Sequence, residues 1–182
     1  MEVLYENGWY LNDPHFDGQP VLGQPKALKG DRSIWMWLLE HGANPNIRLG
    51  HRFGTPFEVA VVMPGDNIAI LKDMIEYGAM VSESNALFNA VYANSQGVEK
   101  VVDLLLDQRG ALDTPESGIV RLERQIKLSN MLLHEVLQGN DKLIELFLDR
   151  GAYSLFRGGS GLMELELAQR YGRTEILRML GG

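Results

Sequence analysis

A short phrase recurs along the chain: a helical run of apolar residues, then one to three polar residues, then Gly-Ala. It closes at Gly42-Ala43, Gly78-Ala79, Gly110-Ala111 and Gly151-Ala152, and a fifth copy over residues 176–181 stops at the chain end. The four glycines are 36, 32 and 41 residues apart. Glycine at this position adopts the left-handed conformation that ends a helix. Units of this period predict a helical solenoid, in which each unit buries its apolar face against its neighbours.

The second unit carries the most informative motif, Gly54-Thr55-Pro56-Phe57-Glu58-Val59-Ala60. Thr55 suits the N-cap of a helix, Pro56 suits the first helical position, and Ala60 permits close approach of two helices. The motif resembles the ankyrin signature Gly-x-Thr-Pro-Leu-His-x-Ala. Weaker copies begin at Asn85, Met131 and Met163, and the position of the signature histidine holds Glu58, Phe88, His134 and Glu166. The stretch Gly42-Ala43-Asn44-Pro45-Asn46 is similar to the family's turn.

This resemblance to the ankyrin-repeat family covers about residues 26–180. It implies an all-α ankyrin-repeat solenoid of helix-turn-helix units with short hairpin fingers. We expect about five irregular repeats at 26–53, 54–84, 85–114, 129–160 and 161–182, with an insertion at 115–128. Residues 1–25 match no repeat and are rich in aromatic residues and proline. They are interpreted as a capping segment over the end of the stack, and alternatively as a binding segment.

The insertion is amphipathic, with Ile119, Leu122 and Ile126 on one stripe and Arg121, Arg124 and Lys127 on another. It is predicted as an added helix or as a longer first helix of the fourth repeat. Its cations form either a solvated face or a local anion-binding patch.

Composition narrows the classes of partner. Lys and Arg total 17 and Asp and Glu total 24, which gives a net charge of −7. Nucleic-acid and anionic-membrane binders need excess Lys and Arg, so neither is expected. The chain has no cysteine, which excludes disulfides, thiolate nucleophiles and Cys-based zinc sites. With no signal peptide and no apolar run of membrane-spanning length, an intracellular, cytoplasmic location is predicted, with the nucleus left open.

The sequence offers no catalytic constellation. The four histidines lack metal-binding spacing, and no nucleophile elbow, P-loop or Rossmann fingerprint is present. The glycine-rich stretch at 157–161 reads as a flexible finger tip. We therefore expect no cofactor and no metal, and the sequence favours a protein that is not an enzyme.

By resemblance, the function is a non-catalytic protein–protein interaction module or scaffold. Such a module binds a protein partner through its concave face and finger tips. The predicted contact residues share finger-tip or inner-helix positions within the repeat. They are Arg48, His51, Arg52 and Phe53 on the first finger, Tyr92, Asn94 and Gln138 near inner-helix ends, and Phe156, Arg157, Gln169 and Arg170 near the C-terminus.

Two alternatives stay open. The first is a stand-alone ankyrin fold that binds a small apolar ligand, or acts on one as a cyclase or isomerase. Its pocket is expected near the aromatic N-terminal segment, with Trp9, Tyr10, Phe16 and Trp35 as lining residues. The second is an inhibitor that holds a larger enzyme.

Overall fold

A computed structural model describes residues 6, 8–14, 20–48, 54–65, 67–82, 84–93, 97–110, 130–132, 134–136, 138–150, 166 and 168–181. The chain divides into two compact units, Met1–Arg109 and Gly110–Gly182. Within the described ranges every regular element is a helix and no strand occurs, so the all-α prediction is confirmed at the level of fold class. The predicted insertion at 115–128 and the predicted finger tips at 49–53 and 157–161 lie outside these ranges.

The helices of the first unit are short and closely spaced. A 3₁₀ turn at Val21–Gly23 precedes α1 (Pro25–Leu28) and α2 (Arg32–Glu40). Next come α3 (Pro56–Val62), α4 (Ile68–Glu76) and α5 (Ala86–Ala93), and α6 (Val98–Gly110) reaches the unit boundary. With four residues, α1 is about one helical turn long.

Alternate helices of the first unit pack side by side. Helix α3 contacts α1 on one side and α5 on the other, which defines an inner row of α1, α3 and α5. Helix α2 contacts α4, which defines an outer row. Within a pair, α1 contacts α2 and α3 contacts α4. This is the contact pattern of stacked helix pairs.

The second unit contains α7 (Asp141–Asp149) and α8 (Thr174–Met179), which contact each other. Residues 130–132, 134–136, 138 and 168–170 are also helical. Leu132, Leu143, Ile144, Phe147 and Ile176 are fully buried and form its core. Asn140 caps α7, because its side chain accepts a hydrogen bond from the backbone N–H of Leu143 at 3.3 Å.

Local chemistry explains where the helices begin and end. Thr55 is the N-cap of α3 and Pro56 is at its first position, as the motif predicts, and Glu58 completes a capping box with Thr55. Gly42 and Gly78 follow α2 and α4 with φ of 89° and 88°, which confirms their predicted left-handed conformation. Gly110 differs from the prediction, because α6 includes it as its last residue. The fourth predicted helix-ending glycine, Gly151, lies outside the described residues.

Two asparagines join successive turns of the first unit in the same way. The Asn12 side chain donates to the Gly42 carbonyl at 2.9 Å and accepts from the Asn44 N–H at 2.7 Å. The Asn46 side chain donates to the Gly78 carbonyl and accepts from the Met80 N–H, both at 2.8 Å. We call Asn12 and Asn46 the asparagine clamps.

Each clamp lies four residues after a glycine with positive φ, Gly8 at 86° and Gly42 at 89°. Residues 8–14 therefore repeat the turn that follows α2. The sequence pattern alone did not indicate this likeness, because the two turns share little beyond that glycine and asparagine.

A buried carboxylate joins the outer row. Asp73 of α4 accepts hydrogen bonds from Arg32 at 2.8 and 3.0 Å and from the Trp35 indole N–H at 2.9 Å, both on α2. The Arg32 hydrogen bonds, and after them the Trp35 bond, hold the pKa of Asp73 below its usual value against the opposing effect of burial. Trp35 is thus a core residue that links two helices.

Candidate functional site

Helix α5 exposes two aromatic rings one turn apart. Phe88 and Tyr92 are 48% and 47% exposed, and their rings stack with centroids 4.1 Å apart and planes 27° apart. Residues i and i+4 share one helix face, which brings the two rings together. The opposite face of α5 is buried through Leu87, Ala90 and Val91. We call Phe88 and Tyr92 the aromatic pair.

On α3, the position that corresponds to Phe88 holds a buried residue that makes hydrogen bonds within the protein. Glu58, which aligns with Phe88 in the repeat, is 2% exposed. Its carboxylate accepts from the Thr55 N–H at 3.0 Å and from the Asn85 N–H at 2.7 Å. These bonds join the start of α3 to the residue that precedes α5. Gly54 leaves space for this carboxylate, since a Cβ there would overlap it.

The surface of α3 beside α5 is also apolar. Val62 aligns with Tyr92 and is 39% exposed. None of the eight residues of α5 is charged, and Glu58 is the one charged residue of α3. Charged residues are instead placed on α2, α4 and α6, for example Lys72, Glu76 and Lys100.

Arg48, a predicted partner contact, lies against Glu58. Its guanidinium donates to both carboxylate oxygens of Glu58 at 3.2 and 3.3 Å, and its side chain is 57% exposed. The guanidinium therefore balances a buried carboxylate while keeping one side in solvent. Arg48 therefore connects the chain that follows α2 to Glu58 of α3.

The other predicted contact residues fall into three groups. Tyr92 is exposed and belongs to the aromatic pair. Gln138, Gln169 and Arg170 are exposed in the second unit. The remaining predicted residues lie outside the described part of the chain, namely His51, Arg52, Phe53, Asn94, Phe156 and Arg157.

The residues proposed to line an apolar pocket have different surroundings. Tyr10 is 71% exposed, whereas Trp35 is buried with its indole N–H bonded to Asp73. Trp9 is half-buried, and Phe16 lies outside the described residues.

One buried acid stands out in the second unit. Glu135 is 1% exposed, and burial raises its pKa to about 7 from a usual value of 4.5, while a hydrogen bond with Asn140 opposes this shift. The His134 Nε2 atom lies 4.0 Å from the carboxylate. Among the described residues no group of three or more His, Asp or Glu side chains is arranged to hold a metal ion. Nor does any described helix have the length and apolar character needed to cross a membrane.

No family model matches the chain, and none of the curated proteins matches its sequence.

The sequence pattern predicts Tyr92 as a contact residue but does not single out Phe88. The signal was present, because Phe88 stands where the signature has a hydrogen-bonding histidine. An aromatic residue at that position cannot make the bond that Glu58 makes. A second aromatic residue four positions later predicts a shared exposed face.

Proposed function

We propose that this chain is a non-catalytic protein-interaction module built from ankyrin-type repeats. The observation that carries the proposal is the aromatic pair on the inner row. In this proposal, Phe88 and Tyr92 form the centre of the surface that contacts a protein partner.

Three features support the repeat architecture. Alternate helices pack in an inner and an outer row. The asparagine clamps repeat the same two hydrogen bonds in successive turns. The Thr55–Glu58 capping box occurs in the segment that resembles the ankyrin signature. The helix rows and the asparagine clamps are expected of a repeating unit that contacts its neighbours.

The choice of surface follows from the cost of exposing large rings. An aromatic ring held half in water leaves apolar area unburied, and burying it on a partner is favourable. Aromatic residues are enriched among the few residues that dominate binding energy. Stacking of Phe88 on Tyr92 also orders both rings before a partner arrives, which lowers the entropic cost of binding.

The test is a comparative pull-down with the immobilised full chain and an extract of the source cells. The double variant Phe88→Ser/Tyr92→Ser removes the aromatic pair, and Tyr171→Ser is a matched control because Tyr171 is 58% exposed in the second unit. We expect a protein that the wild type and Tyr171→Ser retain and that the double variant loses. Retention by the double variant, or no retained protein with the wild type, contradicts the proposal.

A further inference from the structure

In the second unit, the guanidinium of Arg173 lies against the backbone of Gly139. A Cβ added to Gly139 would be 2.5 Å from Cζ and Nη1 of Arg173 and 2.6 Å from its Nη2. Since these three atoms are almost equally distant from that point, the flat face of the guanidinium covers the glycine. Gly139 suits this contact because it has no side chain, and its φ of 76° lies in the left-handed region.

Packing of the face leaves the edges of the guanidinium to form hydrogen bonds. The N–H groups of arginine lie in the guanidinium plane and form a fork that matches the two oxygens of a carboxylate. Arg173 is exposed, and its contact with Gly139 limits the orientations of this fork. Less side-chain entropy is therefore lost when a carboxylate binds. Three other arginines, Arg32, Arg48 and Arg178, bind carboxylates of this chain in the same chemistry.

Two further polar residues lie beside Arg173 and Gly139. Arg170 is exposed and lies three residues before Arg173, at the end of the helical segment 168–170. Gln138 is exposed and directly precedes Gly139. The sequence predicts Arg170 and Gln138 as partner contacts, and the packing of Arg173 on Gly139 brings their two chain segments together.

The distribution of charge between the two units also favours an acidic partner for the second one. Unit Met1–Arg109 has 8 Lys and Arg and 14 Asp and Glu, a formal charge of −6. Unit Gly110–Gly182 has 9 Lys and Arg and 10 Asp and Glu, a formal charge of −1. An acidic segment is therefore repelled least by the second unit. Salt screens charges beyond about 8 Å at physiological ionic strength, so the nearby arginines act on such a segment more strongly than distant carboxylates do.

We infer that the second unit binds an acidic segment of a protein partner, with the Arg173 guanidinium donating to both oxygens of an Asp or Glu carboxylate. Arg170 and Gln138 lie beside this contact. The inference concerns other residues than the aromatic pair and goes beyond the proposed function. The competing occupant is a phosphate group, which also accepts two parallel hydrogen bonds from a guanidinium.

A phage-displayed random peptide library tests the inference. It is first depleted on the immobilised Arg173→Gln variant of the full chain and then panned on the immobilised wild type, so that the retained peptides depend on Arg173. We expect these peptides to share Asp or Glu residues. In fluorescence polarisation, their affinity for the wild type should fall several-fold between about 0.05 and 0.5 M salt, because the ion pairs are screened.

Further variants examine the geometry. Arg173→Gln should weaken binding about tenfold or more, and Arg173→Lys, which keeps the charge but loses the fork, should lie in between. Gly139→Ala should also weaken binding, because its Cβ displaces the guanidinium. Its matched control is Gly172→Ala, since Gly172 has a φ of 65° but a Cβ there would meet nothing within 4 Å. Lys72→Gln removes an exposed positive charge from the first unit and should leave binding unchanged.

Circular dichroism checks that each variant folds. Arg173 is the N-cap of α8, but its side chain makes no capping hydrogen bond, so the Arg173 variants should retain their helices. If Gly139→Ala unfolds, Arg173→Gln and Arg173→Lys carry the comparison.

Three results would overturn the inference. The first is that depletion leaves no retained peptide, or only peptides without Asp and Glu. The second is that phosphoserine in place of Asp or Glu tightens binding about tenfold or more, which assigns the site to phosphate. The third is that Gly172→Ala weakens binding as much as Gly139→Ala. None of these results bears on the proposed function, because every variant keeps the aromatic pair, which the comparative pull-down tests.

Discussion

At the scale of single residues, Glu58 and Phe88 show how one repeat position can serve two purposes. Glu58 accepts hydrogen bonds from three residues and is buried. Phe88 has no polar side-chain atom, so the same position on α5 makes no such hydrogen bonds, and its ring is half exposed to solvent. The residue at this position thus stabilises the structure in α3 and creates an exposed surface in α5.

The raised pKa of Glu135 predicts that the stability of the second unit depends on pH. Its folded pKa of about 7 lies above the usual 4.5, so the folded state holds a proton that the unfolded chain releases in this range. The resulting stabilisation is fully present below pH 4.5 and is lost as the pH rises through about 7. Its size is up to about 3 kcal/mol.

The variant Glu135→Gln tests this effect. Glutamine is neutral at every pH, so the variant should be more stable than the wild type at about pH 8 and nearly equal to it near pH 4.5. Urea unfolding across this range gives both curves. Parallel curves for the two proteins would mean that Glu135 is not the titrating group.

At the scale of elements, each asparagine clamp fastens a turn to the next turn. The side-chain amide donates a hydrogen bond to a carbonyl and accepts one from a backbone N–H. Neither an ionised carboxylate nor an apolar side chain can make both bonds. Asn46 connects the turn after α2 to the turn after α4.

A graded pair of substitutions at Asn46 tests the clamp. Asn46→Asp keeps the acceptor for the Met80 N–H and loses the donor to the Gly78 carbonyl, whereas Asn46→Ala loses both. We expect Asn46→Ala to lower the free energy of unfolding by about 1–3 kcal/mol, with Asn46→Asp in between. Urea denaturation at neutral pH measures both, and equal losses for the two variants would contradict a two-bond clamp.

The start or end of a helix could be predicted from the sequence where a single residue type determines it. Thr55-Pro56 marked the start of α3, and Gly42 and Gly78 marked the ends of α2 and α4. Contacts between distant residues were not readable in this way. The pairing of Arg48 with Glu58 and the bond from Asn85 to Glu58 depend on how residue 48 and the start of α5 approach α3 in space. For that reason the sequence predicts Arg48 as a partner contact and does not indicate its ion pair with Glu58.

At the scale of the whole molecule, one buried carboxyl group in each unit makes stability depend on pH, and the two effects have opposite signs. In the first unit, the Arg32 hydrogen bonds hold the pKa of Asp73 below its usual 3.8. The stabilisation from Asp73 is therefore present above pH 3.8 and is lost as the pH falls through the folded pKa. In the second unit, the stabilisation from Glu135 is lost as the pH rises above 4.5 toward about 7. Together these two groups favour the folded chain most between their usual pKa values.

Asp73→Asn, Glu135→Gln and the double variant separate these two pH responses. The amide introduced by Asp73→Asn keeps one acceptor for Trp35 but faces Arg32 without a charge. This substitution should therefore be most destabilising at neutral pH and progressively less so below about pH 4. Glu135→Gln should be most stabilising at about pH 8 and without effect near pH 4.5. Because the two residues belong to different compact units, their effects on the free energy of unfolding should add in the double variant at each pH. Thermal melts followed by circular dichroism give these differences. A pH-independent effect of either substitution would show that its carboxyl group is not the source of the pH response.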